Sequence, residues 1–157
     1  MKTRTAIIVL SFSLLAAGAV GVSMLQGRQA LPLMVVYKSP TCGCCVKWAQ
    51  RMKDAGFDVE TRDLDNMGGI KQNYGIPKAV TSCHTAVVEG YVVEGHVPGR
   101  YVKRLLEEKP DVLGLAVPGM PIGSPGMEGP NPQSYDVLKI KRDKTTSVYA
   151  HVQANPQ

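Results

Sequence analysis

Three cysteines fall within four positions of the stretch SPTCGCCVKW (Ser39–Trp48): Cys42, Cys44 and Cys45. Cys42 and Cys45 make a C-x-x-C, the spacing of a dithiol redox pair. Cys44 adds a third thiol that such a pair does not need, and three clustered thiols are the beginning of a soft-metal site. A fourth, Cys83, lies far along the chain in VTSCHTAVV. Thiolate is both the redox nucleophile and the metal ligand, so the motif alone allows either chemistry. A buried disulfide with spare thiols is the bland alternative. It is a poor account, because one backbone loop cannot easily use three adjacent cysteines as structural bridges.

Two methionines extend the soft-donor set. Met120 and Met127 stand in VPGMPIGSPGMEGPNP (residues 117–132), a run with five prolines and four glycines that can be neither helix nor regular strand. No periodic apolar face needs them there, although they could simply pin the loop to the domain. Thioether joined to thiolate selects Cu(I), whereas zinc is satisfied by four cysteines. His84 follows Cys83, and His96 lies in EGHVPG; each could be a ligand or an ordinary core histidine. Strand alternation would turn His84 away from Cys83. His151, late in the chain, is read as bland.

The elements that must position these groups are legible from periodicity. Residues 33–38 are β-branched and apolar and predict a buried strand. A turn carries Cys42, and residues 45–55 then show helical spacing, with Val46, Ala49 and Met52 on one face and Gly56 as the stop. Residues 57–64 alternate as a second strand, and 65–75 form a short helix or loop. Residues 85–88 and 91–95 flank Glu89-Gly90 as a β-hairpin. Residues 99–109 make a helix, with Tyr101, Val102, Leu105 and Leu106 inward, ended by Pro110. The order β-α-β-α-β-β-α is the plan of a thioredoxin-like α/β domain, with the C-x-x-C opening the first helix. There the unpaired N–H groups and the helix dipole favour thiolate over thiol at Cys42 to Cys45. Counting back from Gly90, Ser82 and Cys83 fall near the position where thioredoxins set a cis-proline, and neither is a proline. Two alternating runs about RDKTT predict a C-terminal hairpin.

The chain has 157 residues, 44% hydrophobic and 20% charged, with a net charge of +5. This suits one domain with short extensions and excludes a strongly basic nucleic-acid binder, since no Lys/Arg stripe with interleaved aromatics appears. MKTR, an apolar run and AAGAVG match a secretory signal over residues 1–19, cleaved before Val20. The rival is an N-terminal anchor over Ala6–Leu25, just long enough to span a bilayer. Either puts the rest outside the cytoplasm, in a bacterial periplasm. Residues 20–32 then form a tether, 33–110 the thioredoxin-like domain and 111–157 a C-terminal extension.

The motifs SPTCGCCVKW, GIP, SCHTAVVEGYVVEGHVP and VPGMPIGSPGMEG together resemble the CopG family of periplasmic copper-resistance proteins, over roughly residues 33–152. That resemblance implies a thioredoxin-like domain whose C-terminal extension helps bind metal. It also implies a multinuclear copper cluster bridged by Cys42, Cys44, Cys45 and Cys83, and interconversion of Cu(I) and Cu(II). Met120 and Met127 are added from their chemistry, and His84 and His96 as further candidates. Cys42 and Cys45 are the candidate catalytic pair if redox is done by thiols. Two alternatives stand beside this: a thiol–disulfide oxidoreductase acting on proteins, and a passive copper chaperone feeding a periplasmic efflux partner. Copper is the expected partner, nucleic acid is not, and a monomer is expected.

Overall fold

The computed structural model describes residues 31–154. The expected signal or anchor and most of the tether lie outside them. Among the described residues no helix is long and apolar enough to cross a membrane.

β1 (Leu31–Lys38) leads through the cysteine turn into α1 (Gly43–Asp54) and back to β2 (Phe57–Asp63). β1 and β2 pair in parallel, as a right-handed β-α-β unit requires. β1 begins two residues before the expected start, because Leu31 already faces Phe57 in register. α2 (Met67–Asn73) decides the helix-or-loop question of the following segment. Its start is capped by the Asn66 side chain, which accepts from the Gly68 and Gly69 N–H groups, and such a cap offsets the weak propensity of two glycines. A short 3-10 turn (Lys78–Val80) precedes β3 (Thr85–Val88) and β4 (Tyr91–Glu94). These two pair antiparallel around Glu89 and Gly90, both at positive φ, the conformation a two-residue hairpin turn needs. α3 (Gly99–Glu108) follows.

Beyond α3 the sheet continues. β5 (Gly114–Ala116), three residues with no periodic signature, pairs parallel to β4. β6 (Tyr135–Ile140) and β7 (Thr146–Val152) pair antiparallel across the turn at Lys141–Thr145. The result is one seven-stranded mixed sheet in the order β2-β1-β3-β4-β5-β6-β7. Residues 117–134 form the long irregular loop between β5 and β6.

The buried stripe of α1 is Cys45, Trp48, Ala49 and Met52, at spacing i, i+3, i+4, i+7. The expected inward Val46 is instead 53% exposed. It sits about 100° around the helix from Cys45, and the stripe chosen buries the much larger Trp48. Trp48 and Met52 pack with Met34 and Val36 of β1, Val93 of β4, Val102 and Leu105 of α3, and Leu115 of β5. Burying each of these side chains contributes about 1.5–3 kcal/mol before chain entropy is counted. α1, which carries Cys44 and Cys45 and is preceded by Cys42, is therefore anchored firmly to the sheet.

Candidate metal centre

Cys42 is the residue preceding α1, and Cys44 and Cys45 lie in its first turn. Cys83 arrives from the opposite side, in the loop before β3. One Sγ from each of Cys42, Cys44, Cys45 and Cys83 falls within 4.8 Å of all the others. Cys44 is the hub, with its sulfur 3.5 Å from that of Cys42 and 3.9 Å from that of Cys83. Cys42 and Cys45 are joined as a disulfide, and Cys44 and Cys83 are free thiols. Cys45 is buried, whereas the other three are partly accessible. The fold thus holds an oxidised dithiol and two reduced thiols in one place.

The histidines converge on Cys83. His84 Nδ1 lies 3.3 Å from its sulfur and His96 Nε2 lies 3.0 Å from it. The expectation that His84 turns away from Cys83 is therefore corrected. Alternation governs a strand, and both residues precede the first residue of β3, so it does not apply. His96 Nδ1 is 2.8 Å from the Pro125 carbonyl oxygen, an acceptor only, so Nδ1 carries the proton and donates. Its Nε2 then presents a lone pair to Cys83, as a base or as a ligand. His84 is fully buried against Trp48, ring centroids 4.4 Å apart, and its Nε2 has no hydrogen-bond partner. An Nδ1–H tautomer donating to Cys83 leaves only that lone pair unsatisfied, and an unpaired acceptor is more readily tolerated than an unpaired N–H. Burial, and then the Cys44 sulfur, push the Cys83 thiol up to about 12. Burial lowers both histidines, with His96 and Lys71 adding to the effect at His84. Both imidazoles are thus kept neutral, the form that accepts a proton or a metal.

The irregular loop closes the site. Gly119 N–H reaches the Thr81 carbonyl, and the Ser82 hydroxyl donates to the Gly119 carbonyl. Pro125 holds His96 as described. Glu128 accepts from Arg51 Nε at 2.9 Å and from the Gly126 N–H at 3.0 Å, tying the loop to α1. Met127 lines a cavity of about 400 Å³ together with Cys44, Lys47, Ile122 and Gly126. Met120 is 52% exposed and is not among the residues lining that cavity. Met34 and Met52 are core residues. The structure therefore brings His84 and His96 onto Cys83, and Met127 into a cavity with Cys44. His151 instead pairs with Asp136 on the exposed β6–β7 hairpin.

Residues 80–127 match a family model described as a protein of unknown function, DUF411. A search of the curated proteins finds no match. Two solved structures, forms 1 and 2 of the copper resistance protein CopG, share 38% sequence identity with this chain at a TM-score of 0.74. The chain covers 98% of the form 2 chain and 99% of form 1, and the likeness spans 78% and 79% of its own length. The chain belongs to the CopG family. The DUF411 match takes in Cys83, His84, His96 and the loop as far as Met127, whereas Cys42, Cys44 and Cys45 precede it.

Sequence reasoning missed two supports of the centre. One is the Pro125 carbonyl, which carries no side-chain signal. The other is Glu94, whose place at the end of the apolar run YVVE (Tyr91–Glu94) was the available hint.

Proposed function

We propose that this chain is an exported copper-binding protein of copper resistance, built on a thioredoxin-like domain whose extension helps to bind the metal. The supporting observation is the convergence of Cys42, Cys44, Cys45 and Cys83 within 4.8 Å, where one sulfur can serve two metals. The donor set fits a soft ion: four sulfurs, a thioether at Met127 and two neutral imidazoles favour Cu(I) over harder cations. Cys42, Cys44, Cys45 and Cys83 would bridge several copper ions once the disulfide is reduced. His84, His96, Met127 and Met120 complete the candidate set. The first β-α-β unit, the β3–β4 hairpin and α3 support the thioredoxin-like reading. The basic and apolar N-terminal residues support export to the periplasm.

Copper is the substrate of the redox reading. Two Cu(II) ions taking one electron each from the Cys42 and Cys45 thiolates yield two Cu(I) ions and the Cys42–Cys45 disulfide. The Cys42–Cys45 disulfide is the form that such an exchange would leave behind. The chain's own residues bring the thiols together, and His96 Nε2 can take the Cys83 proton as metal enters.

Metal analysis after anaerobic reduction and reconstitution tests the binding. We expect more than one copper per chain. Less than one, with zinc preferred, rejects the reading. The disulfide also favours a second reading, a thiol–disulfide oxidoreductase acting on proteins. Insulin reduction by the metal-free protein, abolished by Cys42→Ser or Cys45→Ser and indifferent to Met120→Ala, would establish that activity instead. A passive chaperone delivering copper to an efflux partner would leave the copper oxidation state unchanged on exposure to an oxidant.

A further inference from the structure

Glu94 is the only fully buried carboxylate among the described residues. It ends β4, beside apolar Val92 and Val93. Its Oε1 accepts from Lys71 Nζ at 2.5 Å and from the Ser82 backbone N–H at 2.6 Å. Its Oε2 accepts from the Thr85 hydroxyl at 2.7 Å, and Lys71 Nζ donates to that hydroxyl at 3.0 Å. Ser82 immediately precedes Cys83, and Thr85 immediately follows His84. One carboxylate therefore grips both ends of the Cys83-His84 dipeptide. The next residue, Gly95, adds an N–H to the His84 carbonyl at 3.0 Å.

Stability alone is a weak reason for such a pair. Desolvating a carboxylate and an ammonium is costly, and apolar residues of similar volume commonly replace buried ion pairs without loss. What apolar residues cannot supply is an acceptor for the Ser82 N–H and the Thr85 hydroxyl. Cys83 lies in no helix or strand, so nothing in regular secondary structure sets its direction.

We infer that Lys71 and Glu94 are the positioning pair of the Cys83 thiol. Glu94 fixes the Ser82–Thr85 turn so that the Cys83 sulfur faces Cys44 and the two histidines. Lys71, from α2, neutralises the carboxylate and holds it in place. This rests on the reading of the four cysteines as a copper site, but the geometric claim can be tested without metal.

The experiment uses Glu94→Gln and the apolar replacement Lys71→Met/Glu94→Leu. Each is made in the full chain and, for cross-linking, also with Cys42→Ser/Cys45→Ser, which leaves Cys44 and Cys83 as the two thiols. The first readout is the yield of Cys44–Cys83 cross-link with a short bifunctional thiol reagent. The second is Cu(I) affinity by chelator competition, with the sulfur-to-copper absorption recorded. Thermal unfolding confirms that each variant is folded. We expect the apolar double variant to stay folded, to lose at least fivefold in cross-link yield and to bind Cu(I) about tenfold more weakly, the scale on which supporting residues act on metal sites. Adding Cys83→Ser should then cost nothing further. Glu94→Gln, which keeps one acceptor oxygen, should fall between. Cross-linking and Cu(I) binding at wild-type levels in both variants would overturn the inference. Cys44–Cys83 cross-linking that falls when Glu94 is replaced, in a protein that binds no copper, would reject the copper reading and leave the positioning role standing.

Discussion

Gly126 lies directly on the backbone that presents Cys44. A β-carbon at residue 126 would stand 2.7 Å from the Cys44 carbonyl oxygen and 2.7 Å from the Trp48 amide nitrogen, closer than real β-carbons approach. Its φ of +84° is also one that only glycine adopts without strain. The loop from β5 to β6 can cover the thiols because this one residue has no side chain.

Gly126→Ala should therefore lift the loop from α1 rather than unfold the sheet. The strain and the clash with fixed backbone should cost about 1–3 kcal/mol. Met127, Pro125 and Glu128 would leave their partners together. We expect a small drop in melting temperature, faster proteolysis within residues 117–132, and weaker Cu(I) binding. Limited proteolysis with chelator competition measures both.

The two loop methionines should differ. Met127 shares a cavity with Cys44, while Met120 is exposed outside it. Met127→Ala should lower Cu(I) affinity several-fold, with Met120→Ala having the smaller effect. An effect of Met120→Ala equal to or larger than that of Met127→Ala would show that the loop rearranges around the metal.

The buried histidines make the stability of the metal-free protein depend on pH. Burial holds the folded His84 well below the ordinary histidine value and lowers His96 as well. Above pH about 6.5 both are neutral in the folded and unfolded chain, and their contribution is complete. As pH falls below that value the unfolded chain takes up protons that the folded chain refuses, so stability falls. The slope for His84 alone is up to about 1.4 kcal/mol per pH unit until its folded value is reached. Urea midpoints at pH 7.0 and 5.5 should differ more in the wild type than in His84→Gln. The comparison cancels the carboxylates common to both. Equal differences would show that His84 is not held neutral.

Trp48 connects the core to the site. Its indole Nε1 donates to the Val97 carbonyl at 3.0 Å, while its ring packs on His84. Trp48→Phe leaves that buried carbonyl without its donor and opens space beside the imidazole. A loss of about 2–4 kcal/mol follows, measured by denaturant unfolding. Val46→Ala, one position outside the buried stripe, should change stability by less than about 0.5 kcal/mol.

The sequence by itself determined the chemistry and most of the elements. Four cysteines with this crowding limit the choice to redox or soft metal, because thiolate serves both. Periods of two and 3.6 mark β1, α1, the β3–β4 hairpin and α3, because each has one face in the core. Local pattern failed where partners are distant. β5 is three residues long and exists because β4 and β6 pair with it on either side. Val46 is exposed and Trp48 buried because volume in the core, not apolar character alone, chose the helix face. Only the tertiary structure turned both histidines onto the Cys83 sulfur and brought Met127 to the cavity it shares with Cys44. These are contacts between loops, and loop direction is fixed by remote hydrogen bonds such as those from Glu94 and Pro125, which leave no periodic trace in the chain.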